Sequence, residues 1–352
     1  MVDPELLRRL LVIRFGRLGD LLTVTPAIRA LRRALPDARI DVLSGELGLP
    51  ALETSHSVNE LHLLRWRKVP RILNPERALL LRRLRRVGFD AVFLLETSDL
   101  YRRLADDVRA PRIYCSPDPG QAPDPDSGGA PCPRHQVDRV LAAVAEAGIA
   151  PAGRHYDFPV SDAARRRAGS LLEAAGASPT DTVVGLHAGH HVGRFRRGPH
   201  AKEWPTRRYV EVVGGLIDRG ADLVVLTGTA LEADVNTAIT RSASHGRVVD
   251  FSGRTELETL AALMERCALF VTPDTGPGHL AAAMGTPLVS LFGPKSPEIM
   301  GPIGDPAKTR WIYREPSQAS ETEREGHHPR MWAITVSDVL AAVDDLGALR
   351  SR

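Results

Sequence analysis

Apolar residues fall along this chain in two alternating kinds of segment. Short continuous runs, Leu10 to Arg14, Arg39 to Leu43 and Ala91 to Leu95, read as buried strands. Between them, Leu21 to Leu35 carries apolar positions at helical spacing with Pro26 near its start, and Leu79 to Val87 predicts an arginine-studded helix. Val137 to Ala147 predicts a further helix, and Pro151 to Pro159 a connection. A second series follows. Its strands are Val183 to Leu186, Asp222 to Leu226, Val248 to Asp250, Cys267 to Thr272 and Leu288 to Phe292. Its helices are Arg207 to Asp218, Leu231 to Ser242, Leu257 to Glu265 and a closing Val336 to Leu346.

Strand–helix alternation of this kind predicts parallel sheets covered by helices on both faces. Two successive series predict an α/β chain of two Rossmann-like, doubly wound domains facing each other across a cleft. The expected divisions are 1–155, 156–334 and a C-terminal helix, 335–352, that packs back on the N-terminal domain. Ligands of such sheets sit at the carboxyl ends of the strands, where strand order reverses. The segment 116–133 collapses to Pro, Gly, Asp and Ser, and reads as a loop outside the core.

One connection organises the rest. After the strand ending at Thr272 come Asp274, Thr275, Gly276, Pro277, Gly278 and His279, then a small-residue helix start and the strand Leu288 to Phe292. A strand, a Gly-rich turn and a helix N-terminus make an anion cradle, because free amides and the positive end of the helix dipole point the same way. The plain alternative is a tight strand–helix connection.

Totals bound the function. The 352 residues exceed one ordinary core, and 43% apolar with 25% charged residues describe a soluble globular chain. A net charge of +3 gives no call for nucleic acid. The only lysines are Lys68, Lys202, Lys295 and Lys308, so a lysine inside a motif stands out where arginine, favoured by a GC-rich genome, does not. Cys115, Cys132 and Cys267 form no disulfide framework, which indicates a reducing compartment. No run reaches the ~20 apolar residues of a membrane span, and no signal peptide opens the chain, so the expected location is cytoplasmic. Arginine clusters at Arg65 to Lys68 and Arg82 to Arg86 read first as solvated faces, with at most a peripheral contact to a membrane or anionic acceptor.

Four further motifs stand at predicted strand ends. Gly16-Arg17-Leu18-Gly19-Asp20 follows the first strand without a dinucleotide fingerprint, and no acid closes the second strand, which argues against a nicotinamide cofactor. Asp20 reads either as a helix cap or as a general base accepting a hydroxyl proton. His187-Ala188-Gly189-His190-His191 lacks the acid or thiol partners of a zinc site, and fits a phosphate-touching loop better. Lys202, before Trp204-Pro205, is an exposed lysine or a point charge for a diphosphate. Thr227-Gly228-Thr229-Ala230-Leu231-Glu232 offers a carboxylate either to the helix start or to ribose hydroxyls. Asp124-Pro125-Asp126 imitates an Asp-x-Asp metal motif but lies in the loop, without a strand end to hold it. No metal and no cofactor are expected. Three strand ends of the second domain converge on one anionic, ribose-bearing ligand.

Arg14 to Leu22 followed by Thr25-Pro26-Ala27-Ile28 resembles the N-terminal motif of glycosyltransferase family 9, the ADP-heptose heptosyltransferases. Ser252 to Thr255, Leu260 to Leu263, Asp274 to Ala283, Gly285-Thr286-Pro287 and Phe292-Gly293-Pro294 resemble its C-terminal signature. The resemblance implies the GT-B fold, with the acceptor on the first domain and a nucleotide-sugar, ADP-activated, on the second. It implies inverting, metal-independent transfer to a carbohydrate, glycolipid or small-molecule acceptor. Asp20 would be the base within the loop of Gly16, Arg17 and Gly19. Lys202 and the amides of Thr275 to His279 would hold the diphosphate, Glu232 the ribose, and Asp274 the turn. Thr227, Gly228, His187 and Gly189 would complete the donor side. The chain departs from the family in having His187-Ala188-Gly189 in place of His-Pro-Gly, no cysteine cluster between Glu315 and Met331, and the Pro/Gly insert. The alternatives are a transferase of the same fold acting on a soluble, antibiotic-type acceptor, and an idle nucleotide-sugar-binding module.

Overall fold

The computed structural model describes residues 7–65, 74–118, 134–189, 199–242 and 247–349. Most of the 116–133 loop with Asp124-Pro125-Asp126 and Cys132, the His190-His191 pair, and Trp66-Arg67-Lys68 lie outside them. The chain divides into two compact units, Met1–Pro159 and Val160–Arg352.

The first unit holds a five-stranded parallel sheet in the order β3-β2-β1-β4-β5. Its strands are β1 (Arg9–Ile13), β2 (Arg39–Ser44), β3 (Glu60–Leu63), β4 (Ala91–Leu94) and β5 (Ile113–Cys115). Its helices are α1 (Leu18–Leu22), α2 (Thr25–Ala34), α3 (Pro75–Val87), α4 (Asp99–Val108) and α5 (Gln136–Glu146). The single helix expected over Leu21 to Leu35 is broken into α1 and α2. Pro26 has no N–H to give the Leu22 carbonyl, and the Thr25 hydroxyl donates to that carbonyl instead at 2.8 Å. The connection before Pro159 belongs to this unit. Buried Arg29 of α2 pairs with Asp157 and donates to the carbonyls of Ala152, Gly153 and His155, while Tyr156 and Phe158 are buried.

The second unit is a six-stranded parallel sheet in the order β11-β10-β9-β6-β7-β8. The strands are β6 (Val183–His187), β7 (Leu223–Thr227), β8 (Arg247–Asp250), β9 (Leu269–Pro273), β10 (Leu288–Phe292) and β11 (Thr309–Tyr313). Numbered from β6, this order is that of the doubly wound dinucleotide-type sheet. Alternate residues feed opposite cores, which is why the strands are continuously apolar. Val184, Leu186, Val224, Leu226, Val271 and Leu291 face one cluster, and Val183, Leu223 and Val225 the other. Each such buried side chain contributes roughly 1.5–3 kcal/mol.

The helices of this unit are α6 (Asp162–Ala174), α7 (Thr206–Asp218), α8 (Ala233–Ser242), α9 (Leu257–Arg266), α10 (Gly276–Ala283), α11 (Pro297–Met300), α12 (Pro329–Ala333) and α13 (Val336–Leu346). Two expectations change here. Cys267 caps α9 rather than opening a strand. The final helix is expected on the first domain, yet buried Val339 and Val343 of α13 belong to the core of the second unit. The segment without the family's cysteines is held otherwise. Arg207 pairs with Glu325, and the Arg207 and Arg208 guanidinium groups lie 5.1 and 4.7 Å from the Trp332 ring. No helix among the described residues is long and apolar enough to cross a membrane.

Candidate active site

Strand order reverses beside β6 and β9 in the second unit, and the predicted donor residues gather at the carboxyl ends there. β9 runs into Asp274, whose N–H is held by the Leu291 carbonyl at 2.9 Å, and Thr275 takes an extended conformation before α10. No side chain caps this helix. Pro277 has no N–H, and the Gly278 N–H is taken by the Thr275 carbonyl at 3.1 Å. Within the turn from Thr275 to His279, Pro277 and Gly278 therefore offer no free N–H to an anion. A Cβ on Gly278 would lie 3.1 Å from Thr272 Cγ2, so this glycine lets the helix approach the sheet. His279 is buried on the same helix.

Lys202 reaches this turn from the stretch before α7. Its Nζ lies 2.6 Å from Asp274 Oδ2 and donates to the Asp274 carbonyl at 3.0 Å. The lysine side chain keeps 23% of its exposure while the carboxylate keeps 7%, so the charge sits at the mouth and its partner beneath. Trp204 is anchored by its indole N–H to the Ile334 carbonyl at 3.0 Å, which fixes the start of α7.

Glu232 lies at the end of β7, nearly buried. One carboxylate oxygen accepts the Thr229 N–H at 2.7 Å and the Thr229 hydroxyl at 2.9 Å, a capping box. Gly189 and Gly228 press against it: a Cβ on Gly189 would lie 2.6 Å from Glu232 Oε1, and one on Gly228 3.3 Å from Oε2. His187 ends β6 with Nδ1 3.2 Å from the Thr227 carbonyl, and its Nε2 lies 3.8 Å from Glu232 Oε1. Burial lowers the His187 pKa, against the pull of Glu232, so the imidazole is held neutral. Thr227 is itself buried, and Asn236 ties its carbonyl to Ser252 and Asp250.

In the first unit, order reverses beside β1 and β4. Gly16 has φ +131°, a region open to glycine, and a Cβ there would lie 2.4 Å from Asp20 Oδ2. Asp20 Oδ2 accepts the Arg17 N–H at 2.9 Å, and Oδ1 accepts from Arg14 Nη2 at 3.0 Å. Gly19 is buried in α1. The carboxylate is thus a cap and an ion-pair partner together, and one third of it remains exposed. Sequence reasoning missed Glu96, just past β4. Its Oε1 accepts the Phe15 N–H at 2.7 Å and lies 3.7 Å from Arg14 Nε. Burial raises the Glu96 pKa, against the opposing Arg14 charge. Its signal was present as the first acid after a buried strand beside a switch point.

Among the described residues, one trio of possible metal ligands stands together, Asp41, Glu60 and His62 on β2 and β3. Arg39 and Arg83 already pair with its carboxylates, and it includes none of the residues above.

The profile of glycosyltransferase family 9 (heptosyltransferase) matches residues 129–328. The chain belongs to this family. A family 9 chain is a glycosyltransferase, and lipopolysaccharide heptosyltransferase 3 of Escherichia coli K12 is 24% identical to it over 344 residues, covering 93% of this chain and 95% of that one. The family 9 glycosyltransferase of Veillonella parvula DSM 2008 superposes with a TM-score of 0.75 at 21% identity, covering 96% of this chain and 97% of that one. The E. coli ADP-heptose lps heptosyltransferase II does so with 0.70 at 25%, covering 96% and 98%. Two parallel-sheet domains of the GT-B class, expected from the sequence, are the fold of this family 9 enzyme.

Proposed function

We propose that this enzyme transfers a heptose or related sugar from an ADP-activated donor to an acceptor hydroxyl, with inversion and without a metal ion. The observation that carries the reading is the uncapped start of α10 with Lys202 clamped on Asp274 beside it. The ADP assignment follows the similar E. coli ADP-heptose enzyme.

In this reading the diphosphate lies on the amides of Thr275 and Gly276 and beside Lys202. As the bond from the anomeric carbon to the diphosphate breaks, the electron pair leaves with ADP, and these preorganised donors stabilise the growing charge. Each is worth up to about 3–4 kcal/mol in such settings. Lys202 supplies on Asp274 the positive charge that a divalent cation supplies elsewhere. Glu232, fixed by Thr229 and backed by Gly189 and Gly228, receives ribose hydroxyls. Asp20 takes the acceptor's hydroxyl proton as the acceptor oxygen bonds to the anomeric carbon. The acceptor is a sugar-bearing molecule, a glycolipid or a soluble product.

A thermal-shift panel of ADP, GDP, UDP and TDP tests the donor. ADP alone should raise the melting temperature, by an amount reflecting about 2.7 kcal/mol at a hundredfold excess over Kd. An equal or larger shift with another nucleotide would overturn the assignment.

A further inference from the structure

Arg14, at the end of β1, is buried, yet its Nε has no hydrogen-bond partner. Its other nitrogens are used: Nη1 donates to the Leu95 carbonyl at 2.7 Å and Nη2 to Asp20 at 3.0 Å. The orphaned Nε faces Glu96 Oε1 at 3.7 Å, short of a hydrogen bond but within ion-pair range. That same oxygen holds the Phe15 N–H at 2.7 Å, one residue before the Gly16 turn that wraps Asp20. Two carboxylates therefore share one guanidinium, and one of them also sets the backbone beside the other.

We propose that Glu96 is a positioning residue for transfer: it fixes the Phe15–Gly16 backbone and retains a share of the Arg14 charge, so that Asp20 is not fully neutralised. The inference rests on the reading of Asp20 as the base. A carboxylate locked in a full ion pair is a weak proton acceptor, because the charge that would attract the acceptor's proton is already satisfied. Dividing one arginine between two acids leaves net negative charge at the exposed one.

The charged and titratable groups facing Glu96 are Arg14, Asp20, Arg139 of α5 and Tyr101 of α4. Burial pushes the Glu96 carboxyl up most, and Asp20 adds to this, while Arg14, the Phe15 N–H and Arg139 oppose it. Both acids thus face the one Arg14 guanidinium. Tyr101 stacks on Phe15 with ring centroids 4.5 Å apart, beside the backbone that Glu96 holds.

Glu96→Gln keeps an oxygen for the Phe15 N–H and removes the charge, so Arg14 pairs with Asp20 alone. The acid limb of kcat/KM should move down by roughly one pH unit, and the plateau kcat should fall about tenfold as the base weakens. ADP affinity should be unchanged. Glu96→Ala should lose more, since the backbone contact also goes. A Glu96→Gln enzyme with the parent pH profile and kcat would overturn the proposal. A second readout needs no activity: carboxyl-carbon NMR should show Glu96 titrating above the ordinary glutamate range and moving down in Asp20→Asn. No movement would overturn the coupling, even if Glu96→Gln failed to fold. Asp20→Ala separates the two ideas. If it transfers at the parent rate, the base reading falls and this inference with it. If it is inactive while Glu96→Gln is unchanged, only the role of Glu96 falls.

Discussion

Replacing Gly16 by Ala tests the acceptor-side geometry with one methyl group. The residue stands at φ +131°, where an L side chain costs about 1–3 kcal/mol. The added Cβ would lie 2.4 Å from Asp20 Oδ2 and 2.5 Å from its Cγ. Carbon contacts settle near 3.5 Å, so the carboxylate must retreat by about 1 Å. It would then lose the Arg17 N–H, the Arg14 contact, or both. A reacting group misplaced by about that distance costs about a hundredfold in rate, or about 2.7 kcal/mol of barrier. The strain should lower the melting temperature by roughly 5 °C. Steady-state transfer, ADP affinity by calorimetry and a melting curve separate these effects. The expected result is a kcat down about a hundredfold at a temperature where the protein is folded, with ADP affinity intact. A kcat within twofold of the parent would refute the placement of Asp20. So would a loss fully explained by weaker ADP binding.

Lys202→Ala should weaken ADP binding about ten- to a hundredfold by calorimetry, since it removes a charge from the anion site and leaves Asp274 unpaired; unchanged affinity would make Lys202 a surface lysine. Glu232→Gln should lower ADP affinity about tenfold while leaving inorganic diphosphate binding as it was, and equal losses for both would move Glu232 away from the ribose. His187 gives a pH dependence whose sign follows from burial. Its folded pKa is depressed, so the unfolded chain binds the extra proton and stability is lost as pH falls below about 6.5. Urea unfolding on either side of that pH should show the drop, and His187→Gln should flatten it; an equal drop in both proteins would place its origin elsewhere.

The central strands of both sheets were legible because parallel strands buried on both faces are continuously apolar, as in Leu10 to Ile13 and Leu223 to Leu226. The edge strand Glu60–Leu63 was not, because His62 and Glu60 are polar and, among the described strands, it pairs with β2 alone. α4 and α6 escaped notice for a related reason: α6 buries only Ala164, Ala168 and Leu172 among arginines and small residues. The break between α1 and α2 turned on one missing N–H at Pro26, which periodicity does not register. At the site, residues next to glycine turns announced themselves. Glu96 did not, because its partner Phe15 is 81 residues away and the two meet only past the ends of adjacent strands; Asn236 did not, because it sits inside α8, away from any glycine turn. The pairing of Lys202 with Asp274 likewise joins residues far apart in the chain.

The most direct measurement follows ADP-heptose and an acceptor sugar with the purified enzyme in a chelator, reading ADP release and the anomeric configuration of the product. The expected result is one ADP per transferred heptose, a product anomer opposite to that of the donor, and a rate unaffected by the chelator. Retained configuration, or a reaction that stops until a divalent cation is returned, would contradict it.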